Sequence, residues 1–170
     1  SDLEVEFATQ SIKSYFFICV HSCTFNGGKV TIIPQIQVSL QVIFETPRLK
    51  VRKLQMSDLD PFHTMQSNPK VMQYADGKVK SKEAHEQELK DLIQYYEKTE
   101  NDFWIYAIER KSDAQFVGTL AFVKDDQQED EIGFRFLETY WGLGYGSEIG
   151  LGLIEYCRSV RMPKLIGYVI

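Results

Sequence analysis

Gly142, Gly144 and Gly146 occupy every second position of Trp141-Gly142-Leu143-Gly144-Tyr145-Gly146-Ser147-Glu148, a spacing that can build a ligand site from main chain alone. Glycine tolerates left-handed dihedrals and puts nothing larger than hydrogen in a ligand's path, so such a turn leaves bare N–H donors facing outward. Before the turn, Ile132, Phe134 and Phe136 alternate with Glu131, Gly133 and Arg135, the pattern of a strand with one buried face. After it, Ile149, Leu153, Ile154 and Cys157 fall at helical spacing. The turn therefore sits at a helix N-terminus, whose partial positive charge attracts phosphate. Strand, glycine turn and helix between Asp130 and Ser159 predict an anion site. Gly150 and Gly152 each cost the helix about 1 kcal/mol against alanine, but they would also permit close packing.

Other residues of chemical interest carry less. Cys19, His21 and Cys23 are zinc-ligand types on one face of a predicted strand. On an extended chain the outer two Cα atoms lie about 13 Å apart, too far for both thiolates to reach one metal without a sharp bend. They are read as a half-buried strand face, with no metal expected. Cys157 could suggest a covalent acyl intermediate, but its register with Ile149, Leu153 and Ile154 puts it in the core. His63 and His85 lie on predicted helices with no catalytic or metal-site pattern around them and are read as structural or exposed.

These residues need a scaffold, and 170 residues at 44% hydrophobic content suffice for one sizeable core. A formal net charge of -5 gives no support to a nucleic-acid surface, which normally carries a basic excess. Three cysteines, an odd number, point to a reducing compartment, and the cytoplasm is the default expectation. The dense apolar run Tyr15 to Val20 has six residues, whereas a membrane span needs about 20, so no anchor is expected.

Residues 1–44 read as β-rich, with Phe16 to Phe25 ending at the hairpin turn Asn26-Gly27-Gly28 and strict alternation from Ile36 to Phe44. Leu49, Val51 and Leu54 mark a further strand, after which Ser57 is the predicted cap of a helix. Asn68-Pro69 divides that helical pattern in two, and Ser81 caps a third helix with the stripe Leu89, Leu92, Ile93 and Tyr96. Phe103 to Glu109, Phe116 to Val123 and the strand before the turn form a predicted three-strand meander, and Lys164 to Ile170 a last strand. The expected class is α+β, a mostly antiparallel mixed sheet flanked by helices, in one structural domain.

This order, opened by Glu45-Thr46-Pro47-Arg48-Leu49 and closed by the glycine turn, resembles the GNAT acyltransferase superfamily over about residues 45–170. The branch it is most similar to is that of the ribosomal-protein-alanine N-acetyltransferases. A Rossmann turn also has spaced glycines, but the antiparallel meander and the absence of a ribose-binding acid argue against it. The resemblance implies that amides of Gly142, Leu143, Gly144, Tyr145, Gly146 and Ser147 cradle the coenzyme A pyrophosphate. It also implies that Phe136 and Leu137 pair with pantetheine. Trp141 stands where the superfamily usually has Arg or Gln.

The implied activity is direct acetyl transfer from acetyl-coenzyme A to a primary amine, either a protein N-terminus or a small amine; a homodimer is compatible with it. Such a reaction needs the amine deprotonated and the leaving thiolate protonated. Glu131 and Glu138, at the two ends of the strand, are the candidate bases, and Tyr140 could orient water or protonate the thiolate. For each carboxylate the competing reading is a solvated strand-end charge. Members of this branch normally continue with a helix and hairpin beyond the last strand seen here. The first 44 residues are therefore either those elements in circularly permuted order or an unrelated extension. The alternative functions are a non-catalytic acyl-coenzyme A sensor and a scaffold module that pairs a sheet edge with another chain.

Overall fold

The computed structural model describes residues 42–73, 79–124, 130–162 and 166–167. The expectations for Cys19, His21, Cys23, the Asn26-Gly27-Gly28 turn and the permuted order all lie outside the described residues. Alternation that runs up to Phe44 in the sequence is realised as β1 (Val42–Glu45). It forms a hairpin with β2 (Leu49–Lys53), closed by Thr46-Pro47-Arg48 with the Thr46 N–H donating to the Leu49 carbonyl at 2.9 Å. The predicted meander is present as β3 (Phe103–Arg110), β4 (Gln115–Lys124) and β5 (Asp130–Phe136). With β6 (Ile166–Gly167) these make a sheet of order β1-β2-β3-β4-β5-β6, antiparallel throughout except for the parallel pair β5 and β6.

Helices cover both faces. Leu49, Val51, Ile108, Val117 and Leu120 pack against Tyr145, Ile149, Leu153 and Cys157 of α4 (Tyr145–Ser159). The opposite core joins Leu54, Ala107 and Phe116 to α1 (Leu59–Gln66), α2 (Pro69–Met72) and α3 (Lys82–Tyr95) through Phe62, Met65, Val71, Leu89 and Leu92. A register shift between Ile108 and Glu109 bulges β4 at Val117, so Val117 and Leu120, three residues apart, share one core while Phe116 serves the other. The break at Asn68-Pro69 and the Ser81 cap form as expected, with Asn68 Oδ1 accepting from the Lys70 N–H at 2.9 Å and Ser81 Oγ from the Ala84 N–H at 3.2 Å.

Three local expectations are corrected. Ser57 does not cap α1: it lies in a 3-10 turn (Met56–Asp58), and α1 begins at Leu59 without a side-chain cap. The Asp58 carboxylate is drawn instead to the Arg52 guanidinium, with two contacts of 2.8 Å, and to the Gln55 N–H at 2.9 Å. Ile154 is 41% exposed, because the buried side of α4 is turned so that Gly152, not Ile154, faces β1. Phe134 is 39% exposed, since the residue of α4 above its ring is Gly146, which has no side chain to cover it.

Candidate functional site

The glycine turn connects the end of β5 to α4 as predicted. Gly142 and Gly144 have φ of 75° and 76°, the left-handed region in which a side chain is strained. Gly146 is already helical. The first intrahelical bond runs from the Glu148 N–H to the Gly144 carbonyl, 3.1 Å, so helix geometry leaves the N–H groups of Tyr145, Gly146 and Ser147 without an intrahelical acceptor. A cleft of about 420 Å³ lies over them, lined by Phe136, Tyr140, Trp141, Gly142, Gly144, Tyr145, Gly146 and Ser147. A Cβ built at Gly142 would meet no atom within 4 Å, so the turn is open on that side. Donors, helix polarity and open space together suit an anionic group.

The end of β5 is set by Gly118 of β4. A Cβ there would lie 2.1 Å from the Arg135 carbonyl oxygen, so only glycine lets β5 approach this closely. Phe136 pairs with Gly118, the Leu137 N–H donates to the Val117 carbonyl at 3.0 Å, and the Trp141 indole N–H donates to the Phe136 carbonyl at 2.9 Å. Trp141 thus fastens the start of the turn to the strand end, and its ring stays 45% exposed.

The two candidate carboxylates do not come together. Glu131 is at the start of β5, paired with Val123 and Ile166, about 17 Å of extended strand before Phe136. Period-2 alternation gives it the face of Arg135, whose Nη1 donates to Gln66 Oε1 of α1 at 3.1 Å. Glu138 lies in a 3-10 turn (Glu138–Tyr140), accepts from Asn68 Nδ2 at 2.7 Å and is salt-bridged to Lys70. Those two partners, Lys70 first, hold its pKa below the usual carboxylate value. Glu138 and Tyr140 line a second cleft of about 510 Å³, bounded also by Pro61 and Thr64 of α1, Asn68, Leu137 and Thr139. Tyr140 lines both clefts and is their shared wall. Its ring packs against Tyr145 at 6.3 Å between centroids, and Arg110 Cζ lies 4.9 Å from its centroid. Cys157 is 2% exposed and its thiol is pushed up to about 11 by burial, which fits packing and not nucleophilic chemistry.

Local sequence pattern gives no functional signal for Arg48, Asn68, Lys70 or Arg110, which the fold brings around these clefts. Asn68 was visible only as a helix breaker, and Arg48 only as part of the opening Glu45-Thr46-Pro47-Arg48-Leu49. Among the described residues no group of three or more His, Cys, Asp or Glu could hold a metal ion, and no helix is long and apolar enough to cross a membrane.

A family model described as an acetyltransferase (GNAT) domain matches residues 48–170. Among solved structures, a GNAT-family acetyltransferase from Bacillus anthracis is similar with a TM-score of 0.62 at 21% identity, covering 73% of this chain and 71% of that one. RimL, a ribosomal alpha-N-protein acetyltransferase solved with coenzyme A, gives a TM-score of 0.59 at 18% identity, covering 75% and 73%. The microcin self-immunity acetyltransferase MccE, solved with acetyl-CoA and AMP, gives 0.57 at 12% identity, covering 71% and 69%. At these identities the likeness to each structure is one of fold.

Proposed function

Because the chain belongs to the acetyltransferase (GNAT) family over residues 48–170, we propose that it transfers acetyl from acetyl-coenzyme A directly to a primary amine of low basicity, such as a protein N-terminus. The observation that carries this reading is the pair of clefts meeting at Tyr140, one over bare amides and one between α1 and the turn after β5. In it, amides from Gly142 to Ser147 hold the pyrophosphate, and Phe136, Leu137 and Trp141 border the path of pantetheine. The coenzyme supplies an activated thioester. As the amine nitrogen bonds to the acetyl carbon and the carbon–sulfur bond breaks, Tyr140, on the wall between donor and acceptor, donates a proton to the departing sulfur and is reprotonated by the proton the nitrogen loses.

The pairing of Glu138 with Lys70 and Asn68 supports the choice of acceptor class. Its lowered pKa makes it a weak base, and its ion pair with Lys70 leaves little net charge to stabilise an ammonium. In this reading the amine arrives largely neutral. At pH 7.5 an α-amino group with a pKa of about 7.8 is about one-third neutral, whereas a lysine-type amine with a pKa of about 10.4 is about 0.1% neutral. This difference of over two orders of magnitude favours N-terminal amines. RimL, similar in fold, is by its description an N-terminal protein acetyltransferase.

Calorimetry with acetyl-coenzyme A, followed by thiol release across amines of graded pKa, tests the reading. Turnover is expected to rise as acceptor pKa falls, and Tyr140→Phe to lower kcat about 100-fold with coenzyme affinity unchanged. No coenzyme binding at millimolar concentration, or equal rates for α- and ε-amines at pH 7.5, would overturn it.

A further inference from the structure

We infer that Arg48, held by a Glu148 carboxylate that Thr46 also bonds, is a positioning residue that aims the Gly144 N–H into the phosphate cleft. The inference rests on the reading of that cleft as the coenzyme A pyrophosphate site. Arg48 lies in the β1–β2 turn, 95 residues from Leu143, yet its Nη1 donates to the Leu143 carbonyl at 3.1 Å. Its guanidinium is held in place from two sides. Nε donates to Glu148 Oε2 at 2.6 Å, and Cζ lies 4.7 Å from the Tyr145 ring centroid. The same Glu148 carboxylate also accepts from Thr46 Oγ1 at 2.6 Å and from the Arg48 N–H at 2.8 Å. Burial works against its charge, but these bonds outweigh burial and lower its pKa, so the clamp is anionic at neutral pH.

The consequence follows from peptide geometry. No described peptide bond is cis, and in a trans peptide the C=O and N–H point in opposite directions. A Leu143 carbonyl held towards Arg48 therefore turns the Gly144 N–H the other way, to the side of the cleft that Gly142, Gly144 and Gly146 line. The peptide needs such a hold because Gly142 and Gly144 flank Leu143, and glycine alone resists rotation poorly. Arg48 is not among the residues that line the cleft, so it acts through the turn and not by contact with the ligand. A lysine could keep the ion pair with Glu148, but it has no planar fork with which to hold Glu148 and the Leu143 carbonyl together.

The test compares two ligands, coenzyme A and pantetheine, which lacks the pyrophosphate. In the unaltered protein coenzyme A should bind the tighter of the two. Equal affinities would overturn the pyrophosphate reading itself and, with it, this inference. Given that preference, Arg48→Met and Arg48→Lys should each weaken coenzyme A about tenfold, as expected when a preorganised donor is lost, with pantetheine affinity unchanged. The Gly144 amide resonance should shift on titration with inorganic pyrophosphate in the unaltered protein and much less in Arg48→Lys. Unchanged coenzyme A affinity in both variants, or an equal loss for both ligands, would overturn the role of Arg48 while leaving the cleft assignment standing. If Arg48→Met does not fold, Arg48→Lys, which keeps the charge, decides alone.

Discussion

His63 and His85 approach Nδ1 to Nδ1 at 2.7 Å, so one ring donates while the other accepts, and Ser67 Oγ lies 3.1 Å from the same His63 nitrogen. His85 is 1% exposed and stacks edge-on against Phe62. Burial lowers its pKa from 6.5; Glu88 opposes this, while His63 and Lys80 add to it. An unfolded chain thus takes up a proton near pH 6.5 that the folded one refuses. The contribution to stability is full above that value and is lost as pH falls towards the lower folded pKa. The urea midpoint is expected to fall between about pH 7 and pH 5, and His85→Gln should flatten that slope. The sequence leaves these histidines as structural or exposed and gives no sign of their pairing, because the partners sit on different helices, 22 residues apart.

At the scale of elements, α4 crosses β1 at Gly152. A Cβ there would stand 2.5 Å from Thr46 Cγ2 and 3.2 Å from Phe44 Cε2, whereas one at Gly150 would meet nothing within 4 Å. The two glycines share a helix and a propensity, yet opposite effects are expected. Gly150→Ala should stabilise by up to about 1 kcal/mol through propensity alone. Gly152→Ala should destabilise by about 1 to 3 kcal/mol, as α4 is pushed off the β1–β2 hairpin and the Thr46 to Glu148 bond is stretched. Equilibrium denaturation of the two variants checks the signs. Periodicity treats both positions alike, and only the element lying opposite separates them.

Across the whole molecule, the helical layer over α1 is joined to the sheet by a buried ionic network. Arg52 of β2, 3% exposed, bonds Asp58 at 2.8 Å and Glu109 of β3 at 2.5 Å, and Lys50 joins Glu109 at 2.7 Å. No buried side-chain nitrogen or oxygen among the described residues lacks a partner. Removing the central cation leaves the buried Asp58 without an ionic partner and Glu109 with Lys50 alone, so Arg52→Ala is expected to cost about 3 kcal/mol in denaturant unfolding. The order of elements, the antiparallel meander and the turn at the head of α4 can all be read along the chain. These depend on periods of 2 and 3.6 residues and on dihedrals favoured by glycine, all readable in a short window. The work of each charge is set by the packing of distant segments. That packing sets Glu138 against Asn68 and Lys70, 70 and 68 residues away, and Arg48 against Leu143 and Glu148, 95 and 100 away. Those partners are fixed by which chain segments the sheet brings side by side, and that proximity leaves no trace in local spacing. The glycine turn was therefore legible as a left-handed turn at the head of a helix, while the residues that hold it and wall the neighbouring cleft were not.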